Sequence, residues 1–202
     1  MDDPLTLPVM PGPLRPLGSP VEAQATGPAA LALAAGPRTD LFADPGGPGR
    51  FSDAPALLAT PHAGDFVLSA RVRAGLSATY DAGALLLYAA PGSWAKLALE
   101  LSPQGRPTVV TVVTRGVSDD ANAFPVESGD IWLRAARVGG AYAFHASTDG
   151  RFWHLVRWFA LPSDTPPEAG FLAQSPTGEG LPVRFEEIAY ARRTLADPRD
   201  GT

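Results

Sequence analysis

The segment WAKLALEL, residues 94–101, carries the side chains whose types and spacing best suit chemistry on a small molecule. Trp94, Lys96 and Glu100 lie an even number of residues apart, so in a β-strand they point to one face, within about 20 Å at ~3.4 Å per residue. An aromatic ring can cover the apolar face of a sugar while charged groups bond its hydroxyls. The pattern favours binding of a carbohydrate or a small polar metabolite. It is also typical of a solvated sheet face on which Lys96 pairs with Glu100 or with a neighbouring acid.

Residues from other segments complete the predicted ligand-binding set, on the concave face and its rim. They are Thr111, Arg115, Asp40, Asp119 and Glu179. Thr111 and Arg115 share one face of the β-branched segment PTVVTVVTR, which is typical of a strand. Strand register does not follow from the sequence, so the face of residues 107–115 that lines the groove stays open.

Carbohydrate hydrolysis is the alternative function from another class. Glycoside hydrolysis needs two carboxylates across the scissile bond, so Glu100 would require Asp40, Asp119 or Glu179 as a partner. The chain lacks the Glu-x-Asp-x-x-Glu run of glucanases, and the neighbours at 186 and 187 point to opposite faces of a strand. We therefore predict no catalytic residues and favour a non-catalytic domain, with the enzyme question left open.

Several other chemistries are disfavoured by composition and spacing. The chain has no cysteine, which removes thiolate nucleophiles and thiolate metal sites. His145 and His154 have no third ligand at a suitable spacing, so no metal is predicted. Phosphate-binding and dinucleotide motifs are absent, so no cofactor is expected. The 16 basic residues are scattered in a chain of net charge −5, which disfavours nucleic acid as a partner.

The amino-terminal segment does not resemble a secretory signal. It begins with acidic residues and is interrupted by prolines, whereas a signal needs a basic stretch followed by an apolar run. The apolar run at residues 29–35 is much shorter than the roughly 20 residues that cross a bilayer. We expect a cytoplasmic protein without a membrane partner.

Composition also limits the elements that position these side chains. With 21 Gly and 22 Pro spread along the chain, long helices are excluded, and residues with alternating polarity recur between turn signals. Roughly ten strands are predicted, which suits two packed antiparallel sheets. We expect a proline-rich extension at 1–20, one β-sandwich domain at 21–192 and a loose tail at 193–202.

Turn chemistry gives three local predictions. The segment HASTDGRFWHL, residues 145–155, contains a turn at 147–150, because Asp149 can bond its own backbone and Gly150 accepts positive φ. The pair Gly139 and Gly140 predicts a two-residue hairpin. The polar segment at 116–130 is predicted to be a long loop.

Six segments, in this order, resemble the regulation-of-enolase-protein family of domains of unknown function, over residues 22–190. They are RTDLFADP, GDFVLSARV, YDAGALLLY with SWAKLALEL, VVTRGVSDD, IWLRAARVGGAYAFHASTDGRFWHLVRWF and SPTGEGLPVRFEEI. The family commonly has Cys-Ser-Pro where this chain has Gln-Ser-Pro at 174–176. The resemblance implies a jelly-roll sandwich of the concanavalin A-like lectin and glucanase type, with no established reaction. It also implies a third hypothesis, a protein-interaction domain whose partner acts in the regulation of sugar metabolism.

Overall fold

The computed structural model describes residues 4–19 and 22–202, and every regular element among them is a β-strand. The predicted boundary between residues 20 and 21 lies outside the described residues. The strands are β1 (Arg15–Leu17), β2 (Glu22–Gly27), β3 (Ala30–Ala35), β4 (Leu41–Ala43), β5 (Arg50–Ser52), β6 (Ala56–Ala59), β7 (Phe66–Ala74), β8 (Ala82–Ala90), β9 (Ser93–Leu101), β10 (Pro107–Arg115), β11 (Val117–Pro125), β12 (Asp130–Val138), β13 (Ala141–Ser147), β14 (His154–Phe159), β15 (Glu168–Gln174) and β16 (Leu181–Ala191).

Two antiparallel seven-stranded sheets form the sandwich. Sheet A has the order β1-β6-β15-β8-β9-β10-β11, and sheet B has the order β14-β13-β12-β7-β16-β3-β2. Strands β4 and β5 form a separate hairpin. The predicted all-β jelly-roll β-sandwich is confirmed. A helix able to cross a membrane does not occur in the part of the chain that the structure describes.

The main core lies between the sheets and follows the predicted alternation. From β7, Phe66, Leu68, Ala70 and Val72 point into it, and β9 contributes its odd-numbered residues, Ala95, Leu97 and Leu99. Burial of a large apolar side chain stabilises the fold by roughly 1.5–3 kcal/mol, which fixes the register of both strands. The even-numbered residues of β9 therefore point to the outer face of sheet A.

A second core covers that outer face. The β4–β5 hairpin lies over it, with Leu41 packed among apolar residues of sheet A that include Leu86, Ala98 and Val112. Strand β8 is thus buried on both faces, which explains why its sequence AGALLLYAA does not alternate. The hairpin leaves part of the outer face uncovered, and the candidate site lies there.

Both ends of the described chain pack on the sandwich. Leu7, Met10 and Leu14 are buried in the main core, and β1 pairs with β6 at the edge of sheet A. The prediction that residues 193–202 are loose is wrong. Leu195 is buried, the Gly201 carbonyl accepts a hydrogen bond from Arg134, and the tail lies against the outer face of sheet B.

The turn predictions at 139–140 and 147–150 are confirmed. Strands β12 and β13 meet across the Gly139–Gly140 hairpin, in which Gly139 has a φ of 60°. At 147–150, the Asp149 carboxylate accepts from the amides of Arg151 and Phe152, both at 2.8 Å, and Gly150 has a φ of 72°.

The loop predicted at 116–130 is wrong over most of its length. Residues 117–125 form β11, the edge strand of sheet A, which pairs with β10 through a register shift between Val109 and Val110. An edge strand exposes residues on both faces, so polar side chains hide the alternation on which the prediction relied. The outcome matters because Asp120 lies on this strand.

We expect Gly83→Ala to destabilise the sandwich by about 1–3 kcal/mol, because a Cβ there would overpack the core. It would lie 2.5 Å from Val183 and 2.9 Å from Val72, side chains of the opposite sheet. Urea unfolding measures the loss. Gly129→Ala, where a Cβ meets nothing within 4 Å, is the matched control and should leave the free energy of unfolding nearly unchanged. Equal effects of the two substitutions would contradict close packing at Gly83.

Candidate functional site

A pocket of about 250 Å³ opens on the outer face of sheet A beside the β4–β5 hairpin. Strands β9, β10, β11 and β15 form its floor, and the hairpin and the turn before β8 form its walls. The lining residues are Asp40, Phe42, Tyr80, Lys96, Glu100, Val112, Asp120 and Gln174.

Strand register brings the floor residues together. Lys96 pairs with Val112 on β10, and Val112 pairs with Asp120 on β11, so the three side chains form a row across the sheet. Glu100 lies four residues along β9 and points to the same face. The Lys96 and Glu100 side chains thus line one pocket, as their spacing in the sequence predicts, but only Glu100 is partly exposed.

Lys96 is buried, with 2% of its surface exposed. Its Nζ donates to the carbonyl of Leu41 and to Oε1 of Gln174, each at 2.7 Å, and lies 3.8 Å from Oδ1 of Asp40. Burial lowers the pKa of the Lys96 ammonium, while Asp40, Glu100 and Asp120 oppose that change. Both close acceptors are neutral, so carboxylates that lie further away balance the charge.

Three carboxylates surround this one cation. Burial raises the pKa of Glu100 to about 7, and the charge of Lys96 holds it from rising further. Desolvation likewise raises the pKa of Asp40 and of Asp120, although Asp120 is exposed at the mouth of the pocket. When all four groups are ionised, the pocket has an excess of negative charge.

Tyr80 forms the exposed aromatic wall of the pocket, and Phe42 is half-buried beside it. Tyr80 has a φ of 70°, which costs an L-residue roughly 1–2 kcal/mol. Its amide donates to the Leu101 carbonyl at 2.8 Å, and its own carbonyl accepts from Nε2 of Gln174 at 3.2 Å. Gln174 therefore holds both Lys96 and the strained turn.

Asp81 fixes the same turn from below and is fully buried. Its Oδ2 accepts from the amides of Ser77 at 3.0 Å and Ala78 at 2.8 Å, and its Oδ1 accepts from the Ser175 hydroxyl at 2.7 Å. A carboxylate with several backbone donors is held rigidly. Asp81 thus couples the wall that carries Tyr80 to the end of β15.

The placement of Thr111 and Arg115 in the groove is wrong. Thr111 pairs with Leu97, a main-core residue, so it points toward sheet B, where its hydroxyl accepts from Arg157 at 3.2 Å. Arg115 has the same parity, is exposed, and donates to the Ala160 carbonyl at 3.4 Å. The even-numbered residues of β10 face the pocket instead.

Asp119 and Glu179 also lie outside the pocket, contrary to prediction. Asp119 points away from it and forms an ion pair with Arg157 at 2.7 Å, while its neighbour Asp120 points in. Glu179 is exposed and pairs with Arg38 at 2.8 Å. The error at Asp119 follows from reading β11 as a loop, because only a strand assigns adjacent residues to opposite faces.

The predicted aromatic platform at Trp94 is also wrong. Trp94 points to the outer face but is 3% exposed within the second core, and its ring lies 5.7 Å from Lys96 Nζ. It can pack against the lysine but cannot present a face to a ligand. Tyr80 and Phe42 are the aromatic residues that line the pocket, and no local pattern marks either, since both depend on how the hairpin and turn fold over the sheet.

The two histidines do not converge on a metal position. His145 pairs with Leu155, so His154 points to the opposite face of sheet B. His145 is buried with Nε2 2.7 Å from the Pro198 carbonyl, and burial lowers its pKa to about 4. Among residues 4–19 and 22–202, no three His, Asp or Glu side chains are placed to hold a metal ion.

Comparison with known proteins places this chain in a family. The sequence profile of the family described as "Protein of unknown function (DUF1349)" matches residues 18–193. "Regulation of enolase protein 1" of Saccharomyces cerevisiae is 30% identical over 123 residues, which are 60% of this chain. The match spans 62% of that yeast protein, less than two thirds of its length.

Solved structures agree with the fold. A functionally unknown protein from Saccharomyces cerevisiae superposes with a TM-score of 0.79 at 24% identity, over 88% of this chain and 95% of that one. The xylan beta-1,4-xylosidase of Bacillus halodurans has a TM-score of 0.68 at 14% identity, over 82% of this chain and 33% of the enzyme. Two thirds of the enzyme lies outside the match, so the likeness concerns the fold alone.

We expect Glu100→Gln to be more stable than the parent protein at about pH 8 and nearly equally stable at about pH 4, below the unfolded-state pKa. Folding raises the pKa of Glu100 from 4.5 to about 7, so the folded state binds more protons in this window and loses stability as the pH rises. The difference should reach about 3 kcal/mol at most. Urea unfolding at several pH values measures it.

The lowered pKa of His145 changes the free energy of unfolding with pH in the opposite sense. This change is the same in both proteins, so it cancels when their free energies of unfolding are subtracted. Glu127→Gln, at an exposed glutamate, is the matched control and should not alter the slope. A Glu100→Gln difference that does not change with pH would contradict a desolvated carboxyl at this position.

Proposed function

We propose, for a chain that belongs to the DUF1349 family of proteins of unknown function, a non-catalytic binding domain whose pocket takes a carbohydrate or a small polar metabolite. The observation that carries the proposal is a pocket that combines an exposed aromatic wall, three carboxylates and a buried cation. Acceptors of this kind suit ligand hydroxyls, and an aromatic ring suits a sugar's apolar face.

The size of the pocket favours a small ligand. Its volume of about 250 Å³ lies just below the roughly 300–1,000 Å³ typical of ligand cavities. A single sugar unit suits this volume better than a polymer segment does. The similarity in fold to part of a xylan beta-1,4-xylosidase is compatible with a carbohydrate but does not select one.

Hydrolysis is supported less well than binding. A glycosidase needs one carboxyl kept protonated and a second kept ionised, so their environments must move the two pKa values apart. Here desolvation raises the pKa of Glu100, Asp40 and Asp120 together. None of the three carboxyls therefore has surroundings that favour its ionised form, as the ionised partner in this reaction would need.

The name of the yeast relative also bears on the proposal, because it speaks of the regulation of enolase. A domain that binds a sugar-like metabolite could serve regulation without catalysing a reaction. Interaction with a protein partner stays a prediction, and a pull-down that yields one stoichiometric partner would support it.

We expect a thermal-shift screen of monosaccharides and polyols to find a ligand. The Tyr80→Gly substitution should weaken the binding of that ligand. At 100 times the dissociation constant, a ligand stabilises a protein by ~2.7 kcal/mol. Tyr80→Gly removes the aromatic wall and relieves the positive φ of 70°, so stability without ligand should hold or rise while the ligand-induced shift falls.

Arg38→Gly is the matched control, because Arg38 also has a positive φ, of 59°, but lies outside the pocket. It should leave the ligand-induced shift unchanged. A Tyr80→Gly protein that keeps the full shift, or a screen without any shift, would contradict the proposed function.

A further inference from the structure

We propose that the ligand is a small polyhydroxylated compound that carries a protonated amine, of the amino-sugar class. The inference rests on the proposed function and adds the charge of the ligand to it. It follows from the charges and hydrogen bonds of the pocket, which leave an excess of negative charge and a Glu100 carboxylate that accepts no hydrogen bond from the described residues.

The Lys96 ammonium does not satisfy the carboxylates directly. Two of its hydrogens go to the Leu41 carbonyl and to Gln174 Oε1, and its closest carboxylate oxygen is Asp40 Oδ1 at 3.8 Å. The pocket is lined by three carboxylates, Asp40, Glu100 and Asp120, and by one cation, Lys96. When all four are ionised, its net charge is −2.

Glu100 is the acceptor that most needs a donor. It is half-buried on the pocket floor. Its carboxylate is partly desolvated and interacts with the charges of Lys96, Asp120 and Asp40, but it accepts no hydrogen bond from the described residues. A carboxylate that is partly removed from water and accepts no hydrogen bond from the protein is less stable in its charged form. A ligand ammonium would supply both a donor and a compensating charge.

The other charged groups around the pocket do not remove this excess. Asp53 adds negative charge near Asp40, and Asp119 adds negative charge near Asp120. Arg157 partly offsets Asp120, but it is held by Asp119 on the side away from the pocket. Anionic ligands such as sugar acids and phosphates are therefore repelled, and a neutral sugar gains less than a cationic one.

The test compares three ligands that share one ring and differ in charge: glucosamine, glucose and glucuronate. Calorimetric titration at low salt should give glucosamine an affinity at least about tenfold above glucose, with glucuronate weaker than both. At about pH 6, where Glu100 is largely protonated, binding of glucosamine should also release protons. Titration in buffers of different ionisation enthalpy detects that release.

Two adjacent residues give a matched pair of variants. Asp120→Asn removes a charge that faces the pocket and should reduce the preference for glucosamine over glucose several-fold. Asp119→Asn removes the neighbouring charge that faces away, and should change the preference little. Glu100→Gln should abolish the proton release.

The outcomes separate the two claims. If glucose binds as tightly as glucosamine, or glucuronate binds best, the amine inference is overturned while the proposed function stands. If Asp119→Asn reduces the preference as much as Asp120→Asn does, the overall charge of the protein sets it, which also overturns the inference. If none of the three ligands binds, the amino-sugar inference is overturned, and the wider screen of monosaccharides and polyols decides the proposed function.

Discussion

The burial of the Lys96 ammonium is the interaction on which the candidate site depends. Removing a charge from water costs several kcal/mol unless acceptors replace the lost hydration. Here the acceptors come from the hairpin, through Leu41, and from β15, through Gln174. The amide of Ala43 in the hairpin also donates a hydrogen bond to the Ser118 hydroxyl on β11, at 2.9 Å. These hydrogen bonds hold the hairpin on the outer face of sheet A. The pocket exists because the hairpin covers only part of that face.

The site combines features that each lower stability and that the surrounding structure maintains. Tyr80 has an unfavourable backbone conformation, and Glu100 is partly desolvated and accepts no hydrogen bond from residues 4–19 and 22–202. Asp81 holds the strained turn through buried hydrogen bonds. Strain and unsatisfied polarity of this kind tend to cluster at functional sites, because a ligand can recover the free energy that they cost. These features support the proposal that the pocket binds a ligand.

The sequence predicts the sandwich well and the site only in part. Alternation in β7 and β9 assigns Lys96 and Glu100 to one face, because burial of the opposite residues leaves one register. Asp120 was not predicted, because an exposed edge strand resembles a loop. The prediction at Trp94 is wrong for a different reason: the core cluster that buries it includes Leu41 of the hairpin, more than 40 positions away along the chain. Contacts that depend on such long-range folding have no local signature.

The charge state of Lys96 tests the central claim most directly, because it is the only lysine in the sequence. In protein labelled with ¹³C at lysine Cε, one NMR resonance reports on the ammonium throughout a pH titration. Burial of the ammonium predicts a titration below the ordinary lysine pKa of 10.5, preceded by a shift near pH 7 as Glu100 ionises, which Glu100→Gln removes. A single titration at the ordinary lysine value, with no change near neutral pH, would contradict it.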